Sequence, residues 1–173
     1  MKSCNEIIHT RRSVKKYLPE MPRREDVDYV IRAGLAAASG RNLQASVVVA
    51  VTNKEIRDRL SAANAAVMGM GGDPFYGAPC VLVVLGDKSA HTYLYDGSLT
   101  LGNMMLAAHE IGLGACWIHR AREVMELPEW KEWLRSLGLE GEYEGIGNLV
   151  LGYSDGELPA EKPRKEGRVV YAD

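Results

Sequence analysis

The chain has few cysteines, little net charge and no long apolar run. Its 173 residues include three cysteines, Cys4, Cys80 and Cys116, and no two of them share CxxC spacing. This pattern does not support a disulfide framework or a zinc site, and it favours a reducing compartment. The formal net charge of −2 gives no global basic field that would indicate nucleic-acid binding. We therefore expect any anion site to be built from a local cluster.

Membrane and dinucleotide signatures are also missing. The longest apolar runs, such as residues 47–51 and 80–85, are too short to cross a bilayer, and MKSCNEIIHTRRS lacks the apolar core of a signal peptide. No GxGxxG fingerprint indicates a Rossmann site. With 46% hydrophobic and 25% charged residues, the composition is that of an ordinary globular protein. We expect one domain over residues 1–173, located in the cytoplasm, with no membrane or nucleic-acid partner.

Hydrophobic periodicity predicts that helices and strands alternate. Helices are predicted over residues 5–10, 23–38, 54–63, 91–111 and 124–137. Strands are predicted over residues 46–52, 80–86 and 146–153, with extended chain at 115–118 and a strand-like segment at 168–171. Few hairpin signals separate these elements, so we predict an α+β fold with a mixed central β-sheet flanked by helices. The last segment follows a stretch poor in core residues, and pairing with a neighbouring subunit is one way to cover it.

Four cations and a hydroxyl lie within residues 11–16. This basic segment contains Arg11, Arg12, Ser13 and Lys15. A phosphate monoester suits such a set, because arginine offers a planar fork of donors and lysine a mobile charge. A solvated basic patch after a helix is the alternative.

Two further clusters suit a flat heteroaromatic ligand. Ser39, Asn42 and Gln44 group a hydroxyl with two carboxamides, which can read the edge of a ring, although a helix cap followed by a turn also explains them. In residues 112–119, glycines permit close backbone approach. Cys116 lies in an apolar run and is interpreted as a structural thiol, while His119 is either a general acid or a surface residue.

The order of these segments along the chain carries more information than any one of them. RRSVKKY, SGRNLQ, DPFYGAP, DGSLTLGNMMLAAHEIGLGACWI, NLVLGY and KPRK follow one another in this order. The series resembles the nitroreductase family of FMN-dependent oxidoreductases. The resemblance implies a mixed sheet with helices on both sides and a homodimer that completes two identical FMN sites, with the C-terminal segment exchanged between subunits.

The resemblance also implies roles for individual basic residues. Arg11 and Ser13 match positions that hold the FMN phosphate and ribityl chain, and Arg12 contributes its backbone. Lys15 matches a residue that reaches the polar edge of the ring. The predicted tail residues that close over the phosphate are Lys162 and Arg164, for which a disordered basic end is the alternative.

The remaining implied contacts surround the flavin ring. The segment containing Ser39, Asn42 and Gln44 matches one that approaches the flavin from the second subunit. The backbone passing near flavin N5 is matched by Trp117, Ile118 and His119, and Asn64 matches a polar residue near the ring. Two positions depart from the family pattern: Ala38 replaces a frequent proline, and His119 replaces a frequent glycine.

The implied activity is hydride transfer from NADH or NADPH to FMN, followed by ping-pong reduction of a nitroaromatic, a quinone or a related small molecule. The cofactor performs the chemical step, so no catalytic side chain is nominated. Two alternatives remain open at this point. One is an FMN-binding protein without turnover or with a different reductant, and the other is a phosphate-ligand or protein-interaction module.

Overall fold

A computed structural model describes residues 3–172, so the domain predicted over residues 1–173 extends beyond the described part at both ends. Within that part the helices are α1 (Cys4–Thr10), α2 (Arg24–Leu35), α3 (Lys54–Met68), α4 (Tyr93–Glu110), α5 (Ala121–Met125) and α6 (Pro128–Ser136). The strands are β1 (Ser46–Val51), β2 (Cys80–Asp87), β3 (Gly114–Ile118) and β4 (Tyr143–Gly152). A short 3-10 turn covers Gly40–Asn42.

The four strands form one sheet in the order β1-β2-β4-β3, and each neighbouring pair is antiparallel. The parallel component of the predicted mixed sheet is a single bridge between Ser13 and Ala115. A second bridge joins Tyr17 to Ser154. The basic segment 11–16 therefore runs along the outer edge of β3, close to the start of the C-terminal tail.

Alternation along β2 divides the core into two layers. Val81, Val83 and Leu85 face a layer that includes residues of α3, α5 and α6. Cys80, Leu82 and Val84 face the other layer, which is built with residues of α2 and α4. The prediction of a central sheet flanked by helices is thus confirmed.

Local signals explain the start of α1 and both ends of α3. Ser3 and Glu6 form a capping box at the start of α1, and the Asn53 side chain accepts a hydrogen bond from Ile56 N at 3.1 Å, as its position before α3 predicts. Helix α3 continues to Met68, five residues beyond the predicted end, because its Ala-rich last turns favour helix until Gly69 adopts φ 65°.

Two predictions of secondary structure were wrong. The single helix predicted over residues 124–137 is two helices, because Pro128 lacks an amide hydrogen and occupies the first turn of α6. The predicted strand-like segment 168–171 forms no strand in this chain, and Val169, Val170 and Tyr171 are 70%, 90% and 82% exposed.

Within the described part of the chain, no helix is long and apolar enough to cross a membrane.

Candidate functional site

A basic cleft of about 370 Å³ lies between the segment beside β3 and the tail. Backbone pairing positions one wall, since Val14 N donates to Ala115 O at 3.1 Å. The cleft brings together six predicted site residues from the two ends of the chain and adds three tail residues. Its lining consists of Arg11, Arg12, Ser13, Lys15, Pro159, Ala160, Glu161, Lys162 and Arg164. With five cations and one carboxylate, the cleft is positively charged and therefore suited to an anion.

Two of the three arginines that line the cleft, Arg11 and Arg12, have different partners. Arg12 donates to the carbonyls of His9 and Arg11 at 2.8 and 2.9 Å, and its Nη2 lies 3.0 Å from Glu161. Its side chain therefore clamps the tail. Arg11 Nη1 is buried and has no hydrogen-bond partner among the described residues. A buried guanidinium nitrogen without an acceptor is costly, so Arg11 is the group that an incoming anion would satisfy.

A second cleft of about 200 Å³ lies at the end of β3. It brings the predicted residues Trp117, Ile118 and His119 together with the loop 69–79. Its lining is completed by Met68, Met70, Gly71, Asp73, Pro74 and Tyr76. Lys15 Nζ lies 5.7 Å from the centroid of the Tyr76 ring, so this residue of the basic cleft also contacts a wall of the second cleft.

Sequence reasoning missed Tyr76 and Asp73. The segment DPFYGAP contributed to the family resemblance, but no role was assigned to any of its residues, although the aromatic pair between Pro74 and Gly77 was available as a clue. Asp73 accepts hydrogen bonds from Arg57 Nη2, from Ser61 Oγ and from two backbone amides of the loop. These bonds fix the wall of the second cleft.

Asp73 is expected to make the folded protein sensitive to acid. Burial opposes its charged form, but hydrogen bonds from Arg57, Ser61 and two backbone amides outweigh burial and lower the pKa of the Asp73 carboxyl. Because that pKa is lower in the folded chain, ionised Asp73 adds stability above its unfolded pKa, and this stability is lost as the pH falls through the folded pKa. In urea unfolding between about pH 7 and pH 3, the gap between wild type and Asp73→Asn should narrow with acid. A gap independent of pH would contradict this prediction.

The predicted residues Ser39 and Gln44 line a separate groove of about 180 Å³, which shares no residue with the two clefts above. Gln44 N donates to Ser39 Oγ at 3.0 Å, and Gln44 Nε2 donates to Asn42 Oδ1 at 3.2 Å. Arg41, Asn42 and Gln44 all have φ between 51° and 55°. Residues other than Gly rarely adopt a positive φ. Backbone strain of this kind tends to be retained at functional sites.

Asn64 is placed in the interior and not at a cleft. It has no exposed surface, its Nδ2 donates to Leu60 O at 3.2 Å, and its Oδ1 accepts from Asn148 Nδ2 at 3.3 Å. In this single chain it therefore supports the contact between α3 and β4. Its predicted contact with a ring remains a prediction.

The thiols near the clefts suit structural roles. Burial raises the pKa of the Cys116 thiol, and Ser13 and Lys15 offset this only in part. Burial also raises the pKa of Cys80 to about 12. Both therefore stay protonated near neutral pH and are poor nucleophiles. His119, by contrast, is exposed at the second cleft.

Comparisons with known proteins agree with this geometry. A model of the nitroreductase family matches residues 8–69 and 69–153. An NADPH-flavin oxidoreductase of Vibrio harveyi is 28% identical, over 98% of this chain and 73% of that protein. Crystal structures of nitroreductases with bound FMN from Bacteroides fragilis NCTC 9343 and Desulfitobacterium hafniense DCB-2 are 27% and 26% identical. Each has a TM-score of 0.87 and covers 100% of both chains.

The matched residues include the basic segment, the loop 39–44, both walls of the second cleft and all four strands. The predicted α+β fold class is confirmed, and the chain belongs to the nitroreductase family.

Proposed function

We propose that this protein binds FMN and uses NADH or NADPH to reduce small-molecule acceptors. The observation that carries the proposal is Arg11, a residue that lines a cleft with four other cations and whose buried Nη1 lacks a partner among residues 3–172. A relative named NADPH-flavin oxidoreductase and two structures of nitroreductases with bound FMN support the choice of ligand.

The residues present fit this cofactor. Arg11, Ser13, Lys162 and Arg164 would hold the phosphate and ribityl chain, since the basic cleft offers forked and mobile donors around one unpartnered nitrogen. The ring would lie along the Trp117–His119 backbone in the second cleft. Lys15 contacts both clefts, which suits it to the polar edge of the ring.

When bound, FMN supplies reversible two-electron transfer. The protein contributes orientation and charge. The Lys15 ammonium would stabilise negative charge at the polar edge of the ring, and the aromatic and methionine side chains of the second cleft would receive planar molecules. We propose that the nicotinamide and the acceptor enter the second cleft in turn, which gives a ping-pong reaction with nitroaromatic, quinone or related acceptors. No side chain is required as a catalytic acid or base.

We also propose a homodimer whose interface completes each site. Tyr95 and Leu99, one helical turn apart on α4, are 72% and 51% exposed, and an exposed apolar stripe of this kind favours burial against a partner. The second subunit would bring the loop with Ser39, Asn42 and Gln44 to the ring, and the exposed C-terminal segment 168–171 would be exchanged between subunits. All three cysteines are free, which suits the cytoplasm.

Leu99→Lys should produce a monomer with weakened FMN binding. The substitution places a charge in the apolar stripe, where it would be desolvated at the proposed interface. Size-exclusion chromatography with light scattering measures the mass. Leu137→Lys is the matched control, because Leu137 is 50% exposed and follows α6, away from the stripe. A Leu99→Lys variant with the mass and FMN affinity of wild type would reject this interface.

Absorption spectroscopy of the purified protein tests the proposed function. A yellow protein whose flavin bleaches under anaerobic NADH or NADPH would support an oxidoreductase. A flavin spectrum that persists with either nicotinamide would indicate a flavin carrier or a different reductant. A protein that stays colourless after incubation with FMN would overturn the proposal.

A further inference from the structure

The loop 69–79 is held in place by one carboxylate residue. The Asp73 carboxylate accepts hydrogen bonds from Phe75 N at 2.9 Å and Gly77 N at 2.7 Å, and the Asp73 carbonyl accepts one from Tyr76 N at 3.0 Å. Three consecutive amides are thus captured by a single residue. Tyr76, in the middle of them, is fixed at φ 55°, a conformation that an aromatic residue rarely adopts.

Arg57 anchors the same loop from the interior. Arg57 is 8% exposed, its Nη2 donates to Asp73, and its Nε donates to Ala78 O at 2.9 Å. The guanidinium carbon also lies 5.5 Å from the Phe75 ring centroid. A buried charge persists only when it is paired, and Arg57 is paired both with Asp73 and, through Nη1 at 3.1 Å, with Asp58. Together Arg57 and Asp73 hold the loop rigidly against the core.

Tyr76 is the exposed member of the aromatic pair in this anchored loop. Phe75 has no exposed surface and fills the core, whereas Tyr76 is 38% exposed and is not needed for packing there. The Tyr76 ring lies 5.7 Å from Lys15 Nζ. An ammonium group over an aromatic face is attracted to it, and the flexible lysine stem otherwise leaves the charge mobile.

We propose that Tyr76 is a positioning residue that holds the Lys15 ammonium where the basic cleft meets the second cleft. Asp73 and Arg57 affect Lys15 indirectly, because they fix the position of Tyr76. The position of Lys15 is a property of the protein alone. Its consequence for a bound ring, a fixed positive charge at the polar edge, rests on the proposed function.

Lysine labelling in flavin-free protein tests the position of Lys15. Acetylation by an N-hydroxysuccinimide ester is followed by mass spectrometry, and Lys16, whose side chain is 75% exposed, is the internal control. Tyr76→Leu should raise the labelling rate of Lys15 about two- to fivefold. Tyr76→Phe, which keeps the ring, should leave it unchanged. If Tyr76→Leu also leaves it unchanged, the proposal is wrong. Asp73→Asn should raise the rate as Tyr76→Leu does, because it releases the loop.

The midpoint potential of bound FMN tests whether Tyr76 fixes the positive charge of Lys15 at the polar edge of the ring. Tyr76→Leu and Lys15→Ala should each shift the potential to more negative values, and the double variant should shift it no further than Lys15→Ala does. Additive shifts would show that Tyr76 acts independently of Lys15 and would overturn the proposal. Failure of wild type to bind FMN would reject the proposed function, while the labelling result would still decide the position of Lys15.

Discussion

Replacing Arg11 with methionine should weaken FMN binding by about 10- to 100-fold, the loss expected for a charge-assisted hydrogen bond in a buried site. The substitution keeps the apolar stem and removes the one cleft nitrogen that is buried without a partner among the described residues. The flavin-free variant should be no less stable than wild type, since an unsatisfied buried donor is removed. Flavin fluorescence titration measures the affinity, and urea unfolding measures the stability.

Lys16→Met is the matched control for Arg11→Met. Lys16 belongs to the same basic segment, but it pairs with Asp155 at 2.7 Å and does not line the cleft. Its loss changes the general electrostatic field by the same single charge, so its effect on FMN affinity should be small. Equal losses in the two variants would mean that the field, and not the geometry of Arg11, determines binding.

Replacing Gly145 with alanine should destabilise the fold by about 1–3 kcal/mol or more. A Cβ at this position would lie 2.2 Å from Ala121 O and 2.4 Å from Ala121 C. Both are backbone atoms, so no side-chain rotation relieves the clash, and α5 must move away from β4. Helix α5 begins three residues after β3 ends, so this movement would also widen the second cleft. Urea unfolding should show a lower midpoint.

Gly71→Ala is the matched control for Gly145→Ala. No atom lies within 4 Å of the added Cβ at Gly71, and its φ is not positive. The same methyl group should therefore change stability by at most about 1 kcal/mol, and in the stabilising direction. An unfolding midpoint of Gly145→Ala that matches wild type would show that α5 is not held against β4.

The sequence was sufficient to predict the elements whose signals are local. Helix α2 and strands β1 and β2 follow from apolar spacing and from runs of β-branched residues, and the Asn53 cap follows from its position before a helix. The basic segment and residues 117–119 at the end of β3 were recognised because each is contiguous in the chain. Their order along the chain carried the family assignment.

What the sequence did not reveal depends on distant contacts. Tyr76 became important only through a ring contact with Lys15, 61 residues earlier in the chain, and Asp73 through its pairing with buried Arg57. The split of the helix predicted over 124–137 depended on whether Pro128 begins or interrupts a helix. The tail segment 168–171 has strand propensity but no strand beside it in a single chain, and propensity alone does not form a sheet.

The clamped tail has a kinetic consequence. One ion pair near the surface, Arg12 with Glu161, holds the chain that forms one side of the basic cleft. Exposed ion pairs weaken as dissolved salt screens them. The residence time of a ligand beneath the tail should therefore shorten with ionic strength for two reasons, loss of its own contacts and faster opening of the tail. Purification in concentrated salt would strip the cofactor more readily than its equilibrium affinity suggests.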